Sequence, residues 1–488
     1  MAHLRGCLPA RIRHALAELP ETLDETYERT LREVKNLNWE FAHLLLQCVA
    51  VAIRPLRVEE LAEFLAFDFN AGPIPRFQEG WRVEDPIEAV LSTCSSLLVV
   101  VDVEDEYGHR RSKVMQFSHY SVKEYLTSAR LAEASDIIPR RYHIFMTPAH
   151  TIAAQACLGL LLHLDENVTK KSLEKFPLAE YAAEHWFHHA QFEGVLQNVE
   201  DGLKLLFDPD KPHLAIWVWI RDPGISPQPL MNDQHQLLLR GTPLHYSALC
   251  GFKAIVEFLV KVPSQEVNAR DFDEGLTPLH LASREGHVEV SRFLVEQGAV
   301  VTAEDNDGST SLHLASKNGH VNVARFLIEC GADVTAWDYQ GWTPLHLASK
   351  MGRVKVTRLL VERDADIAAR DNNGSTPLHD ALQEGHLDIA RCLVEHGKDA
   401  ILTAQDDDGW SPLHVTIIER NLEMTRSLVE FGADATQENN RGLTPLHLAA
   451  YKENVELIRF ILEQGADVTA RDEGRRTPLH LALGLSCA

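Results

Sequence analysis

The segment that decides the fold is residues 341–373, GWTPLHLASKMGRVKVTRLLVERDADIAARDNN. Its TPLH tetrapeptide recurs, intact or nearly so, at intervals of 33 or 35 residues. The copies begin at Thr242, Thr277, Thr310, Thr343, Thr376, Ser411, Thr444 and Thr477. A fixed period of this length is typical of a solenoid, in which each repeat stacks on its neighbours. The sequence therefore predicts seven full repeats and a truncated eighth over residues 240–488.

Each repeat carries signals for two helices and a hairpin. Thr343 stands where the first helix is expected to begin, and Pro344 follows at a position where a missing N–H costs nothing. Glycines such as Gly286 and Gly319 end this helix, and apolar residues then recur at helical spacing. An Asp-x-x-Gly turn, as in residues 338–341, predicts a short hairpin before the next repeat. In period and in the T-P-L-H-x-A pattern these residues resemble the ankyrin repeat, which implies a mainly α-helical solenoid.

A histidine recurs in every TPLH copy and invites a metal or catalytic interpretation. Because the imidazole occupies one fixed repeat position, we expect it instead to bond the backbone of the adjoining loop. These histidines are His245, His280, His313, His346, His379, His414, His447 and His480.

Two sets of side chains differ between repeats and are the candidate protein-binding residues. Aromatic rings stand at hairpin tips where other repeats carry polar residues: Trp337, Tyr339, Trp342 and Trp410. A second set recurs at one first-helix position: Arg284, Lys317, Lys350 and Tyr451. We call the hairpin tips and the exposed side of the first helices the groove face, the concave side on which repeat arrays bind extended partners. Exposed aromatic rings there are candidate hot spots, and the alternative is that the tryptophans pack on neighbouring hairpins.

The two 35-residue intervals place extra residues before two hairpins. These residues lie in KVPSQEVNARD (261–271) and HGKDAILTAQD (396–406). We expect them to enlarge those two hairpin tips.

Composition excludes several function classes. The 488 residues include 47 basic and 71 acidic side chains, a net charge of −24. Residues 1–240 carry 24 basic and 34 acidic residues (−10), and residues 241–488 carry 23 and 37 (−14). Neither part offers the cationic field that nucleic acid or anionic lipid needs, so we expect no nucleic-acid and no membrane partner.

The expected cellular compartment is inferred from sequence signals that the chain lacks. The eight cysteines form no CxxC pair, which fits a reducing environment. No signal peptide and no bilayer-length apolar run is present. We expect a cytoplasmic protein, and a nuclear location stays open.

The sequence pattern of the N-terminal half predicts a different fold. Helices are predicted at 23–35, 39–52, 58–65 and 86–91, followed by a β-hairpin from SSLLVVVDV and KVMQFSH and a closing helix from Ser121. The last three of these helices, the hairpin wing and the closing helix suggest a winged-helix domain. The predicted divisions are a helical tail (1–36), the winged helix (37–130), a helical connector (131–221) and a Pro-rich linker (222–239).

Strings in this half carry a second resemblance. LPETLDETYERTL, LNWEFAHLLLQCVAVAIRPLRVEELAEFLAFDF, FSHYSVKEYLTSARLA and AEYAAEHWFHHAQFE resemble the region that follows the ATPase in fungal NACHT–ankyrin proteins, which are similar to NLR receptors. The resemblance implies a signalling context and a NACHT ATPase as partner, in cis or in trans. It also places His119 near a nucleotide-sensing histidine. The alternative is an ordinary packing or solvent-facing histidine.

The chain itself lacks the phosphate-binding loop of such ATPases. A Walker A loop has the sequence GxxxxGK[ST], and the sole Gly-Lys pair of the chain is Gly397-Lys398. Cys392 stands at the position of the first glycine of the loop, and Asp399 stands at the position of the serine or threonine. We therefore expect no enzyme activity and no cofactor from this chain. The expected function is a protein-interaction scaffold or sensor module.

Alternatives to this function remain open. One is that the chain is a fragment of a nucleotide-gated ATPase receptor whose P-loop lies upstream. Another is a DNA-binding winged helix, which the −10 charge of this half disfavours. A third concerns His185, His188 and His189, whose spacing can hold zinc but equally marks a packing face.

Overall fold

The computed structural model describes residues 23–34, 38–94, 97–104, 111–223, 239–397 and 399–484. The chain divides into two compact units, Met1–Leu239 and Arg240–Ala488. Most of the predicted tail (1–36) and Pro-rich linker (222–239) lies outside the described residues. Among the described helices, none is long and apolar enough to cross a bilayer.

The described part of the first unit begins with α1 (Leu23–Glu33), which lies in the predicted tail. A winged-helix domain follows, with helices α2 (Trp39–Val51), α3 (Val58–Glu63), α4 (Pro86–Cys94) and α5 (Tyr120–Leu126). The hairpin is formed by β4 (Leu98–Glu104) and β5 (Arg111–Phe117), with Leu98 opposite Phe117 and Glu104 opposite Arg111. These elements confirm the predicted helices and hairpin. In β4 the apolar residues Leu98 to Val101 are consecutive, and burial decreases from Leu98, which is buried, to Glu104, which is exposed.

Three strands were not predicted because they are too short to leave a periodic signal. β1 (Leu56–Arg57) pairs antiparallel with β5 and completes a sheet of order β1-β5-β4. β2 (Phe67–Asp68) and β3 (Arg76–Phe77) form a separate ribbon. Strands of two residues have no alternation to read, so only tertiary pairing defines them.

The helical connector follows the winged helix and packs against it. Its helices are α6 (Ala129–Ala132), α7 (Ile137–Arg140), α8 (Met146–His163), α9 (Lys170–Leu173), α10 (Leu178–Ala190), α11 (Leu196–Leu206) and α12 (His213–Ile220). The buried Glu63 carboxylate of α3 accepts from the Leu178 N–H at the start of α10 at 2.7 Å and from Arg82 at 2.6 Å. These charge-assisted bonds fix α10 against the winged helix.

The second unit is a stack of helix pairs. The first helices are α13 (Pro243–Cys250), α15 (Pro278–Glu285), α17 (Ser311–Asn318), α19 (Pro344–Lys350), α21 (Pro377–Gln383), α24 (Pro412–Ile418), α26 (Pro445–Tyr451) and α28 (Pro478–Ala482). The second helices are α14 (Lys253–Leu259), α16 (Val288–Glu296), α18 (Val321–Glu329), α20 (Val354–Glu362), α22 (Leu387–Gly397), α25 (Leu422–Glu430) and α27 (Val455–Glu463). Each first helix contacts the first helix of the next repeat, so the first helices form one layer.

The core of the array lies between the layer of first helices and the second helices that pack against them. Leu279, Leu312 and Leu345 are fully buried, and so are the alanines of the same helices, Ala282, Ala315 and Ala348. Alanine is required there because successive first helices approach closely. Gly286 and Gly319 cap their helices at φ of +83° and +86°, as the sequence predicted.

The predicted enlargement of two hairpin tips is confirmed for the first tip and wrong for the second. In the first, the Asp271 N–H donates to the carbonyl of Leu276, five residues on, whereas the Asp406 N–H of the second donates to the carbonyl of Trp410, four residues on as in the regular repeats. The second set of extra residues includes the short helix α23 (Asp399–Leu402), whose Ile401 and Leu402 are buried. In the first set, Gln265 is buried and its Oε1 accepts from the Leu244 N–H at 3.3 Å. The second insertion therefore turns toward the core and leaves its tip at the regular length, whereas the first tip carries one extra residue.

Candidate functional site

The groove face is built on a repeated histidine bridge. In α15 the Thr277 N–H donates to His280 Nδ1 at 3.0 Å, which leaves Nε2 to donate to the Ala303 carbonyl at 2.9 Å. Burial lowers the pKa of His280 to about 4, so the ring is neutral at ordinary pH. The same bridge recurs at His313, His346, His379, His414 and His447, each reaching a carbonyl of the following hairpin. The expected structural role of these histidines is confirmed.

The hairpins themselves are held by their first acidic residue. Asp338 Oδ1 accepts from the Gln340 N–H at 3.0 Å and the Trp342 N–H at 2.8 Å. Successive hairpins are joined edge to edge, since the Tyr339 N–H donates to the Asp307 carbonyl at 2.9 Å. The tips are therefore a rigid row on which side chains are displayed in fixed order.

Two of the predicted tip aromatics project into solvent. The side chains of Trp337 and Tyr339 are 54% and 65% exposed. The Tyr339 ring lies over the preceding tip, where a Cβ on Gly308 would come within 2.6 Å of it. Gly308 therefore has to be glycine for the ring to lie there, and its φ of +79° independently favours glycine.

The other two tip aromatics are half-buried, so the expectation of exposed rings is wrong for them. Trp342 Nε1 donates to Asp371 Oδ2 of the next hairpin at 3.1 Å. The Lys350 ammonium lies over the Trp342 ring, 4.7 Å from the ring centroid. The Trp410 ring meets the His414 ring edge-on at 5.8 Å. Both rings pack on the array because each directly precedes a first helix, the alternative that the sequence left open.

The first-helix set lies in the last turn of its helices, as the repeat spacing implied. Lys317 and Tyr451 are exposed, the latter by 64%, and Lys350 is half-buried against Trp342. Arg284 is held by Glu274 at 3.6 Å and Glu285 at 3.2 Å. The exposed members, Lys317 and Tyr451, are the ones available to a partner without breaking an internal contact.

One exposed aromatic was missed by sequence reasoning. Phe272, at the first hairpin tip, is 90% exposed. It directly follows the turn residue Asp271, as Tyr339 follows Asp338. That shared position was the signal that would have found it.

The N-terminal candidates do not form a common site. His119 is exposed and caps α5, its Nδ1 accepting from the Ser121 N–H at 3.3 Å, which is the ordinary solvent-facing alternative. His185 and His189 are buried, and His188 is exposed. His189 instead contacts His150 Nδ1 to Nδ1 at 2.9 Å. In the described part of the chain no group of three or more potential ligands is placed to hold a metal ion.

Comparison with known families fits this geometry. A model described as ankyrin repeats (3 copies) matches residues 226–305, 301–371, 338–404, 366–439, 398–472 and 419–487. These overlapping matches span more than half of the chain. The chain belongs to the ankyrin-repeat family. Ankyrin repeats support a role in protein–protein interaction.

The N-terminal domain also matches a described family. A model for the winged helix domain of GPI inositol-deacylase matches residues 28–137 of this ankyrin-repeat protein. The winged-helix fold is thus shown by both the elements and the family, and the exact domain boundaries stay predictions.

This ankyrin-repeat protein is similar to a curated fungal protein and to solved structures that include a human ankyrin repeat domain. The azaphilone pigments biosynthesis cluster protein L of Monascus ruber is 32% identical over 302 residues, which cover 59% of this chain and 61% of that protein. The chain thus spans less than two thirds of the relative's length. The human ASB11 ankyrin repeat domain is 29% identical with a TM-score of 0.39, covering 42% of this chain and 92% of that domain.

Proposed function

We propose that this ankyrin-repeat protein binds a partner protein through its groove face and acts by binding, without catalysis. The observation that carries the proposal is the exposure of Trp337 and Tyr339 on a row of rigid, hydrogen-bonded hairpin tips. Large aromatic side chains on a preorganised surface contribute much binding energy at little entropic cost. The bridging histidines, which recur in each repeat, are already engaged in the scaffold, since Nδ1 and Nε2 of a ring such as that of His280 both bond backbone atoms.

The context we propose is NACHT-type signalling in the cytoplasm. Its support is the resemblance of the N-terminal strings to fungal NACHT–ankyrin proteins, together with the winged helix itself. In this proposal the N-terminal unit docks on a signalling ATPase, present in the same chain upstream or in a paralogue. Reading the native transcript upstream of the Met1 codon tests it: an in-frame GxxxxGK[ST] supports the ATPase in cis, and its absence leaves only docking in trans.

The groove proposal is tested by capturing partners with the full chain and two variants. Trp337→Ala/Tyr339→Ala removes the exposed tip rings without touching the buried core. Phe431→Ala is the matched control, because Phe431 is 39% exposed at the end of a second helix, away from the tips. We expect the double variant to lose partners that the control retains, with affinity at least about tenfold weaker. Equal retention by both folded variants contradicts the proposal.

A further inference from the structure

One first helix carries a charge where the others carry bulky neutral side chains. The residue after each motif histidine is Tyr246, Leu281, Leu314, Leu347, Asp380, Val415, Leu448 and Leu481. At this position Leu281 and Leu347 remain 6% and 5% exposed, whereas Leu279 and Leu345, two residues earlier, are at 0%. The position therefore lies at the groove edge of the core, between adjacent first helices.

Asp380 is buried there with an unused acceptor. It is 6% exposed, and its Oδ2 has no hydrogen-bond partner among the described residues. Burial raises the pKa of Asp380 to about 7; Lys350 opposes this rise through space, and Asp371 and Glu384 add to it. A buried polar atom without a partner is costly, and natural folds retain few of them without a reason.

The groups around Asp380 are suited to a cation. The Lys350 ammonium lies over the Trp342 ring at 4.7 Å, so this part of the face already holds one alkylammonium group. Asp371 is occupied, since its Oδ2 accepts from Trp342 Nε1 at 3.1 Å and its Oδ1 from the Ser375 N–H at 2.8 Å. Asp380 is the member of this cluster with an acceptor left over. Two further carboxylates, Asp371 and Glu384, and one amine, Lys350, act on Asp380 through space, in an array whose charge is −14 over residues 241–488.

We propose that the groove face between α19 and α21 receives a lysine or arginine side chain of the partner protein, with the Asp380 carboxylate as its acceptor. The incoming cation pairs with this buried carboxylate and offsets the negative charge that Asp371 and Glu384 add near it. This inference rests on the proposed function, because it assumes that a partner occupies the groove face.

The test selects peptides from a random linear library displayed on phage, using the full chain as bait. We expect the selected peptides to be enriched in lysine or arginine. Asp380→Leu, which restores the residue found in neighbouring repeats, should weaken their binding by about tenfold or more. Asp380→Asn keeps the shape and removes the charge, and it should weaken binding similarly. Circular dichroism confirms that both variants are folded.

A double-mutant cycle separates a direct contact from a structural effect. Replacing the basic peptide residue by norleucine should weaken binding to the wild-type chain but change binding to Asp380→Asn little. Affinity of the wild-type chain should also rise from about pH 6 to about pH 8 as Asp380 ionises, and this rise should vanish in Asp380→Asn. Selected peptides without basic residues, or equal affinities for both chains, overturn the inference.

The aromatic double variant distinguishes failure of this inference from failure of the proposed function. If Trp337→Ala/Tyr339→Ala weakens peptide binding and Asp380→Leu does not, the groove proposal stands and the cation site is wrong. If neither variant weakens binding, both are wrong.

Discussion

At the scale of single residues, most polar groups of the array are engaged in the scaffold. The motif histidines and the turn aspartates bond backbone atoms at distances near 3 Å. A side chain that departs from the repeat pattern is therefore readily recognised as strained or functional. Asp364 is a case of strain and Asp380 is the case interpreted above as functional.

We predict that Asp364→Gly stabilises the array. Asp364 has a φ of +60° at the position where the preceding repeat has Gly331, whose φ is +91°. The left-handed conformation costs a non-glycine residue about 1 kcal/mol, so the free energy of unfolding should rise by about that amount. Denaturant unfolding followed by circular dichroism measures it.

Gly331→Ala is the reciprocal control for this prediction. A Cβ on Gly331 would meet no atom within 4 Å, so any loss comes from backbone strain alone. We expect the free energy of unfolding to fall by about 1 kcal/mol. Opposite signs for the two variants support the strain argument, and equal signs contradict it.

Acid should destabilise the array. Burial lowers the pKa of seven described array histidines, and that of His280, His313, His379 and His414 is lowered to about 4. Four described array aspartates have a raised pKa, which acts in the opposite direction. The unfolded chain takes up protons on histidine near pH 6.5, before the folded array does. The histidine contribution is therefore complete above about pH 6.5 and is lost as pH falls toward about 4, by up to about 1.4 kcal/mol per pH unit for each histidine.

Urea unfolding at several pH values measures this dependence. We expect the midpoint to fall between about pH 6.5 and about pH 4.5, because the lowered histidines outnumber the raised aspartates. A midpoint that is constant or rises on acidification would show that the aspartates dominate.

At the scale of elements, one helix of the array is held differently from the rest. In α28, Leu479 is 67% exposed, whereas the equivalent Leu446 of α26 is 2% exposed. Both helices begin with the same Thr-Pro-Leu-His capping arrangement. The local sequence is thus the same, and only packing against neighbouring helices differs.

We predict a large difference between two matched substitutions in these helices. Leu446→Ala should cost about 2–5 kcal/mol of unfolding free energy, because it leaves a cavity in the core. Leu479→Ala should cost under about 1 kcal/mol, because little buried area is lost. Chemical unfolding of both variants checks this, and similar costs would mean that Leu479 is buried in solution.

At the scale of the whole molecule, the two units have separate cores that can be followed by their thiols. Cys48, Cys94 and Cys157 are buried in the first unit, and Cys250 is buried in the second. Burial raises the pKa of all four thiols, which keeps them unreactive in the folded state. Cys330 is exposed.

Thiol labelling at increasing urea concentrations should report the units one by one. We expect Cys330 to react at once, and the first-unit cysteines to become reactive at a different urea concentration from Cys250, since each unit has its own core. Mass spectrometry of the labelled peptides identifies each site. Simultaneous exposure of all buried thiols would indicate one cooperative fold.

The sequence by itself determined the array, because a 33-residue period with fixed Thr, Pro, His and Gly positions encodes each repeat locally. It also determined the winged helix's main elements, whose helical and alternating periods are long enough to read. The tip and first-helix residues of the candidate site followed from their repeat positions.

Tertiary structure alone decided the rest. The sequence places Trp342 and Trp410 at hairpin tips, as it does Trp337. Contacts with the following hairpin or helix nevertheless leave the rings of Trp342 and Trp410 half-buried. The two-residue strands exist only through pairing, and the extra residues of the second long repeat turn inward because apolar residues such as Ile401 pack in the core. In the sequence Asp380 is an ordinary polar residue on a helix. Only the structure shows that neighbouring repeats bury its Oδ2 without a hydrogen-bond partner. Burial depends on residues distant in the sequence, so no local pattern can state it.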